Sequence, residues 1–165
     1  MMARWIRLSF SSELDFEEAI VRFALAQPRQ ASAVAAPILL WGETAAEYRF
    51  ALLAPVRLAP GKRARWAAWG LAPAVAAYRQ FGVAACLGES GIWLHGRRIA
   101  ECLVEQIGEC VVVASALLMQ FPAKCVATPS AAFEDAFRRR LEAQHGWQFD
   151  HSWPSERELL HYAVA

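Results

Sequence analysis

Among the side chains able to do covalent chemistry, Cys125 has the most favourable neighbours. It follows Lys124 in Phe121-Pro-Ala-Lys-Cys125, at a predicted strand exit. A neighbouring ammonium lowers a thiol's pKa and a loop exposes it, as a thiolate nucleophile requires. The same residues also fit a half-buried thiol in a connection. Cys86, Cys102 and Cys110 fall in apolar strand patterns, where buried, inert thiols are expected. The histidines His95, His145, His151 and His161 lack a metal-ligand spacing, so no metal is expected. Arg138, Arg139 and Arg140 could grip an anion, but on a helix such a run usually forms a solvated face. A phosphate cradle needs closely spaced glycines; the nine here are scattered, and no cofactor is expected. Trp41, Trp66, Trp69, Trp93, Trp147 and Trp153 fit packing better than ligand stacking.

The elements that position these residues follow from the apolar pattern. Arg4 to Phe10 alternates polar and apolar residues, which predicts a half-buried strand. Phe16, Ala19, Ile20 and Phe23 recur at helical spacing behind the capping oxygens of Ser11, Ser12 and Asp15, and Pro28 ends that helix. Ala36–Trp41 and Tyr48–Val56 read as strands, the second central. Lys62–Gln80 reads as a helix that Gly70 and Pro73 should kink or break. Val83–Leu87, Gly91–Leu94, Arg98–Glu105 and Cys110–Leu118 form a strand and hairpin series divided by glycine-containing turns. Ala131–Gln144 is an amphipathic helix, and Glu156–Tyr162 has helical character. The order predicts one α+β domain over residues 1–165, with helices packed on a mixed, largely antiparallel sheet.

Composition sets further bounds. The chain has 165 residues, 56% hydrophobic and 20% charged, with 17 basic against 16 acidic residues. That balance argues against a broad nucleic-acid surface, and the apolar fraction excludes a mostly disordered chain. The longest charge-free stretches are Gln30–Gly42 and Trp66–Tyr78, thirteen residues each, and Cys110–Ala123, fourteen, all short of the ~20 that cross a bilayer. With no signal-like start and no paired cysteine spacing, a cytoplasmic protein without membrane contact is expected. Only Lys62 and Lys124 are lysines; the other fifteen basic residues are arginines.

The segment Gly91-Ile-Trp-Leu-His-Gly-Arg-Arg-Ile-Ala-Glu-Cys-Leu-Val-Glu105 resembles the active-site hairpin of the biotin/lipoate protein ligase family. In that family a turn ending in Gly-Arg-Lys-Ile-Ala-Gly leads to a strand ending in Leu-Val-Glu. The flanking order is similar over residues 36–145, although only the hairpin is specific. The resemblance implies an α+β ligase-like fold and a pocket near Arg49, Trp93, Arg97, Arg98 and Ser115. It also implies a biotinyl- or lipoyl-carrier protein as partner, with a small-molecule acid as a further candidate ligand.

The family's catalytic motifs are altered at the matching positions. Its glycine- and arginine-rich loop would fall between Trp41 and Arg49, where Gly42-Glu-Thr-Ala-Ala-Glu-Tyr48 offers one glycine and two acids. Cys86-Leu-Gly-Glu-Ser90 stands at the family's Lys-Trp-Pro-Asn-Asp motif, and Arg98 stands at its hairpin lysine. Arginine keeps the charge but is planar and does not deprotonate. Ala114-Ser-Ala-Leu-Leu118 replaces the family's Gly-Ile-Gly-Ile-Asn strand, and its larger side chains are expected to fill ligand space. The expected function is a ligase-like binding module for a protein or small ligand, without ATP-dependent ligase activity. The alternative is an ATP-independent lipoyl/octanoyl-type acyl transferase, with Cys125 as nucleophile and Arg98 as its catalytic partner. A residual ligase built around Arg49, Arg97 and Arg98 ranks third.

Overall fold

The strand patterns richest in apolar residues, β3 (Glu47–Pro55) and β7 (Cys110–Leu118), pair antiparallel at the centre of the sheet. Both are apolar on two faces because both faces are covered. Tyr48, Phe50, Leu52, Val111, Val113 and Leu117 enter one core, whereas Ala51, Leu53, Val112 and Ala114 enter the other. A computed structural model describes residues 1–8, 13–27, 36–43, 47–119 and 130–158. The remaining elements are β1 (Met2–Arg7), α1 (Glu13–Ala26), β2 (Ile38–Glu43), α2 (Trp66–Gln80), β4 (Cys86–Gly88), β5 (Gly91–Leu94), β6 (Arg97–Ile107), α3 (Ser130–His145) and β8 (Gln148–His151).

The eight strands lie in the order β4-β5-β6-β7-β3-β2-β1-β8. β1 runs parallel to both β2 and β8, and every other pairing is antiparallel. α1 covers one face, where Phe16, Ile20 and Phe23 meet Ile6, Ile38 and Leu40. α2 and α3 cover the other, where Leu71, Tyr78, Phe133 and Phe137 meet the β3 and β7 side chains. The architecture is the mixed α+β sheet expected from the sequence. Among the described residues, no helix is long and apolar enough to cross a membrane.

Four local expectations are corrected. α2 runs unbroken through Pro73. Proline cannot donate to the carbonyl four residues earlier, and that carbonyl, on Trp69, instead accepts a 2.9 Å hydrogen bond from Gln144 Nε2 of α3. Gly70 admits the helix rather than breaking it: a Cβ there would lie 2.5 Å from Val113 Cγ1. β8 was not foreseen; its four residues are mostly exposed and its partner β1 lies at the other end of the chain. Trp153 does not pack but stands 83% exposed. Ser11, Ser12, Pro28 and residues 159–162 lie outside the described residues.

One ion pair ties the chain ends together. Arg4 of β1 donates from Nη1 and Nη2 to the two Glu158 carboxylate oxygens at 2.6 and 2.7 Å. Glu158 also accepts from Ser155 N at 2.8 Å and from Gln27 Nε2, beyond the end of α1, at 2.9 Å. Burial pushes the Glu158 carboxyl up, but these donors outweigh it and bring the group down to about 2.

Two outcomes follow from this packing. Gly70→Ala gains about 1 kcal/mol of helix propensity but must displace Val113, at about 1–3 kcal/mol. A net loss of urea stability is expected, partly recovered in a G70A/V113A double variant. Glu158 has a folded pKa below its ordinary 4.5, so its contribution is complete above that value and is lost as pH falls toward about 2. Urea unfolding free energies between those pH values should fall steeply, and more gently in Glu158→Gln.

Candidate functional site

The hairpin singled out by sequence is β5 and the first half of β6. Its turn places His95 and Gly96 at φ 50° and 78°, the mirror-image geometry that joins twisted strands in two residues. β6 then changes partner. Gly91 pairs with Glu101, whereas Cys102 pairs with Ser115 of β7. Ser115 Oγ donates to the Glu101 carbonyl at 2.6 Å, and Cys102 N donates to Ser90 O at 3.1 Å. These two bonds hold the branch point at which one ladder gives way to the other.

Beside this branch, between β6, β3 and α1, lies a cleft of about 560 Å³. Phe16 and Ile20 of α1 supply apolar wall, Ala114 and Ala116 form part of the floor, and Arg49 and Arg98 face in from β3 and β6. The strand Ala114–Leu118 was expected to fill ligand space, and it does not. Strand alternation sends Leu117 into the opposite core, and alanines are what the cleft receives.

Charge in the cleft is largely paired. Arg98 Nη2 donates to Glu101 Oε1 at 2.8 Å, with Arg98 39% exposed. Arg49 Nε lies 3.2 Å from Glu47 Oε2, with the Arg49 side chain 14% exposed. Arg49 Nη1 is buried without a hydrogen-bond partner among the described residues. A buried guanidinium N–H without an acceptor is costly.

The predicted residues therefore divide. Arg49, Arg98 and Ser115 line the cleft, with the Ser115 donor engaged by the backbone. Trp93 lies on the β4–β5 side, its Nε1 bonded to Glu89 O at 3.0 Å and its ring where a Gly88 side chain would be. Arg97 is exposed beside the turn. Neither lines the cleft. Cys125 and Lys124 lie outside the described residues, as do residues 44–46, the three that join β2 to β3.

The sequence reading missed two features. Cys86 is exposed on β4 rather than buried, and Cys102 lines the cleft. Both strands end in glycine turns, but nothing in their patterns distinguishes a cleft wall from a core. No cluster of three or more His, Cys, Asp or Glu among the described residues could hold a metal. Burial pushes the Cys102 thiol up to about 11, so it stays protonated at neutral pH and is a poor nucleophile. Iodoacetamide labelling of Cys102, followed at its own tryptic peptide, is expected to be slow at neutral pH and to climb until about pH 11.

No family model matches the chain, and no curated protein matches it in sequence. Solved structures do match in shape. A bipartite lipoate protein ligase from Thermoplasma acidophilum, described with its E2 lipoyl domain, has a TM-score of 0.76 at 11% identity, covering 99% of this chain and 91% of that one. Lipoate-protein ligase A bound with ATP gives 0.76 at 11% identity over 99% and 93%. The biotin acetyl coenzyme A carboxylase synthetase from Helicobacter pylori, bound to biotinylated ATP, gives 0.58 at 14% identity over 99% and 81%. With its branching hairpin and its eight-stranded mixed sheet, this chain has the fold of the lipoate- and biotin-protein ligases.

Proposed function

We propose that residues 1–165 form a single ligase-like domain that binds a small carboxylic acid or its carrier protein without ATP-dependent ligase activity. The observation that carries this reading is an open cleft with apolar walls that the Arg49 side chain lines. A monocarboxylic acid with an apolar tail satisfies both parts of that site: its carboxylate meets the guanidinium and its tail lies along Phe16 and Ile20. The bipartite ligase described with its lipoyl domain supports a carrier as the larger partner.

Three features support the absence of ATP chemistry. Stabilising charge on a triphosphate needs fixed amide and cationic donors. β2 and β3 are joined by three residues, 44–46, too few for a loop that wraps phosphates. Both arginines of the cleft already face carboxylates, Glu47 and Glu101. Lys62, the one lysine among the described residues, lies in the turns before α2 rather than in the cleft. The free thiols Cys86, Cys102 and Cys110 support a reducing, cytoplasmic setting.

Isothermal titration with octanoate, lipoate and biotin tests the proposal. At least one acid is expected to bind without ATP, and Arg49→Ala to weaken it by about tenfold or more, the worth of a charge-assisted hydrogen bond. ATP with magnesium should change neither the affinity nor the melting temperature. Formation of an acyl-adenylate, or of a thioester on Cys125 after incubation with acyl-carrier donors, would overturn the non-catalytic reading. Intact-mass measurement detects the thioester, and release of pyrophosphate from ATP reports the acyl-adenylate.

A further inference from the structure

α2 and α3 lie on the sheet face opposite α1 and the cleft, and their outer surface carries a second hollow region. One part, of about 730 Å³, lies over Ala72, Val75 and Ala76 of α2 and Leu87 of β4. The other, of about 480 Å³, lies over Ala132 and Ala136 of α3. Gln80 and Arg140 border both parts, so together they form one shallow groove. Its floor is mostly alanine, and Leu87 in it is 39% exposed. Small side chains on a floor let another backbone approach closely, and an exposed leucine gains from being covered.

The border of this groove is basic. Arg79, Arg139 and Arg140 line it, against Asp135 as its acid. That acid is already engaged, by Arg138 Nη2 at 2.8 Å and Arg139 Nε at 3.0 Å. Arg79 donates its Nε to Ala85 O at 2.8 Å, and neither it nor Arg140 makes an ion pair among the described residues. The run Arg138-Arg-Arg140 is thus not one solvated face. Arg138 turns inward, 4.8 Å from the Trp5 ring centroid, while Arg140 serves the groove.

We propose that this groove docks an acidic amphipathic helix of a partner protein. The partner's apolar side chains cover the alanine floor and Leu87, and its carboxylates meet Arg79 and Arg140. A nucleic acid fits less well, because a phosphate backbone gains nothing from an aliphatic floor. The chain's 17 basic against 16 acidic residues also give it no wider field to hold one. The docking surface is separate from the acid-binding cleft, so either reading can fail alone.

Cys86 lines the groove and is an exposed free thiol, which makes it a reporter. The probe is a synthetic helical peptide with glutamates on one face and leucines at i, i+3, i+4 and i+7. Binding is followed by fluorescence anisotropy and by maleimide labelling of Cys86, read at its tryptic peptide. The glutamate peptide is expected to bind, to slow Cys86 labelling, and to weaken as salt is raised. Arg140→Glu should weaken it by about tenfold, and a lysine–leucine peptide should not bind the unaltered protein. Arg49→Ala, altered only in the cleft, should bind the glutamate peptide unchanged. Three results would overturn the proposal: no binding or Cys86 protection in the unaltered protein, equal affinity for Arg140→Glu, or equal Cys86 protection by a single-stranded RNA oligonucleotide. Loss of peptide binding in Arg49→Ala would place the peptide in the cleft and overturn it as well.

Discussion

β6 belongs to two ladders, and the rest of the site depends on that division. Its first residues pair with β5 and its later ones with β7, the change falling between Glu101 and Cys102. A strand can leave one neighbour for another only if the backbone groups at the branch find other partners. Here the Ser115 hydroxyl takes the Glu101 carbonyl, and Ser90 O takes the Cys102 amide. β5 has no ladder to β7, and the cleft lies beside this branch, lined by Ala114 and Ala116. Arg98 then faces the same cleft as Arg49 of β3.

What fills that cleft is decided by electrostatics more than by shape. Two guanidinium groups enter a partly apolar cleft, and each is met by a carboxylate close in sequence, Glu47 for Arg49 and Glu101 for Arg98. Such local pairs hold the arginines in place and, with Glu17 of α1, leave the lining with three acids against two arginines. On the proposed reading a single carboxylate pairs with the Arg49 guanidinium, whereas a triphosphate would meet three acids, Glu17, Glu47 and Glu101. Arginine at position 98 fits this picture: it forms a directed ion pair but cannot serve as a proton carrier. The lysine scarcity of the whole chain thus has a local counterpart, since Lys62, the one lysine among the described residues, does not line the cleft.

The helices on the far face show how one interaction can reverse the effect of a residue. Pro73 and Gly70 would break an isolated helix, yet α2 is continuous. The carbonyl that Pro73 leaves unpaired is taken by Gln144, and the missing Gly70 side chain is the space occupied by Val113. α2 therefore leans closely on both α3 and β7. The pairing of β1 with β8 has the same long-range character, reinforced by Arg4 and Glu158. Four mostly exposed residues far along the chain become an edge strand because β1 offers them a ladder.

Local pattern was enough to give the fold class, the central place of β3, the hairpin at His95–Gly96 and the amphipathic character of α3. These follow from local rules: alternation, helical spacing and the need for positive φ in a tight turn. It also pointed to Arg98 and Arg49 as residues of one site, through the resemblance of the hairpin and its flanks. Tertiary structure alone decided that the cleft stays open, because which face of Ala114–Leu118 meets the core depends on register against β3. It decided that Ser115 holds a branch point, that Cys102 faces the cleft, and that Arg138 and Arg140 point to different surroundings. Each is a contact between residues distant in sequence, and a local pattern carries no signal for such contacts until the strands are paired.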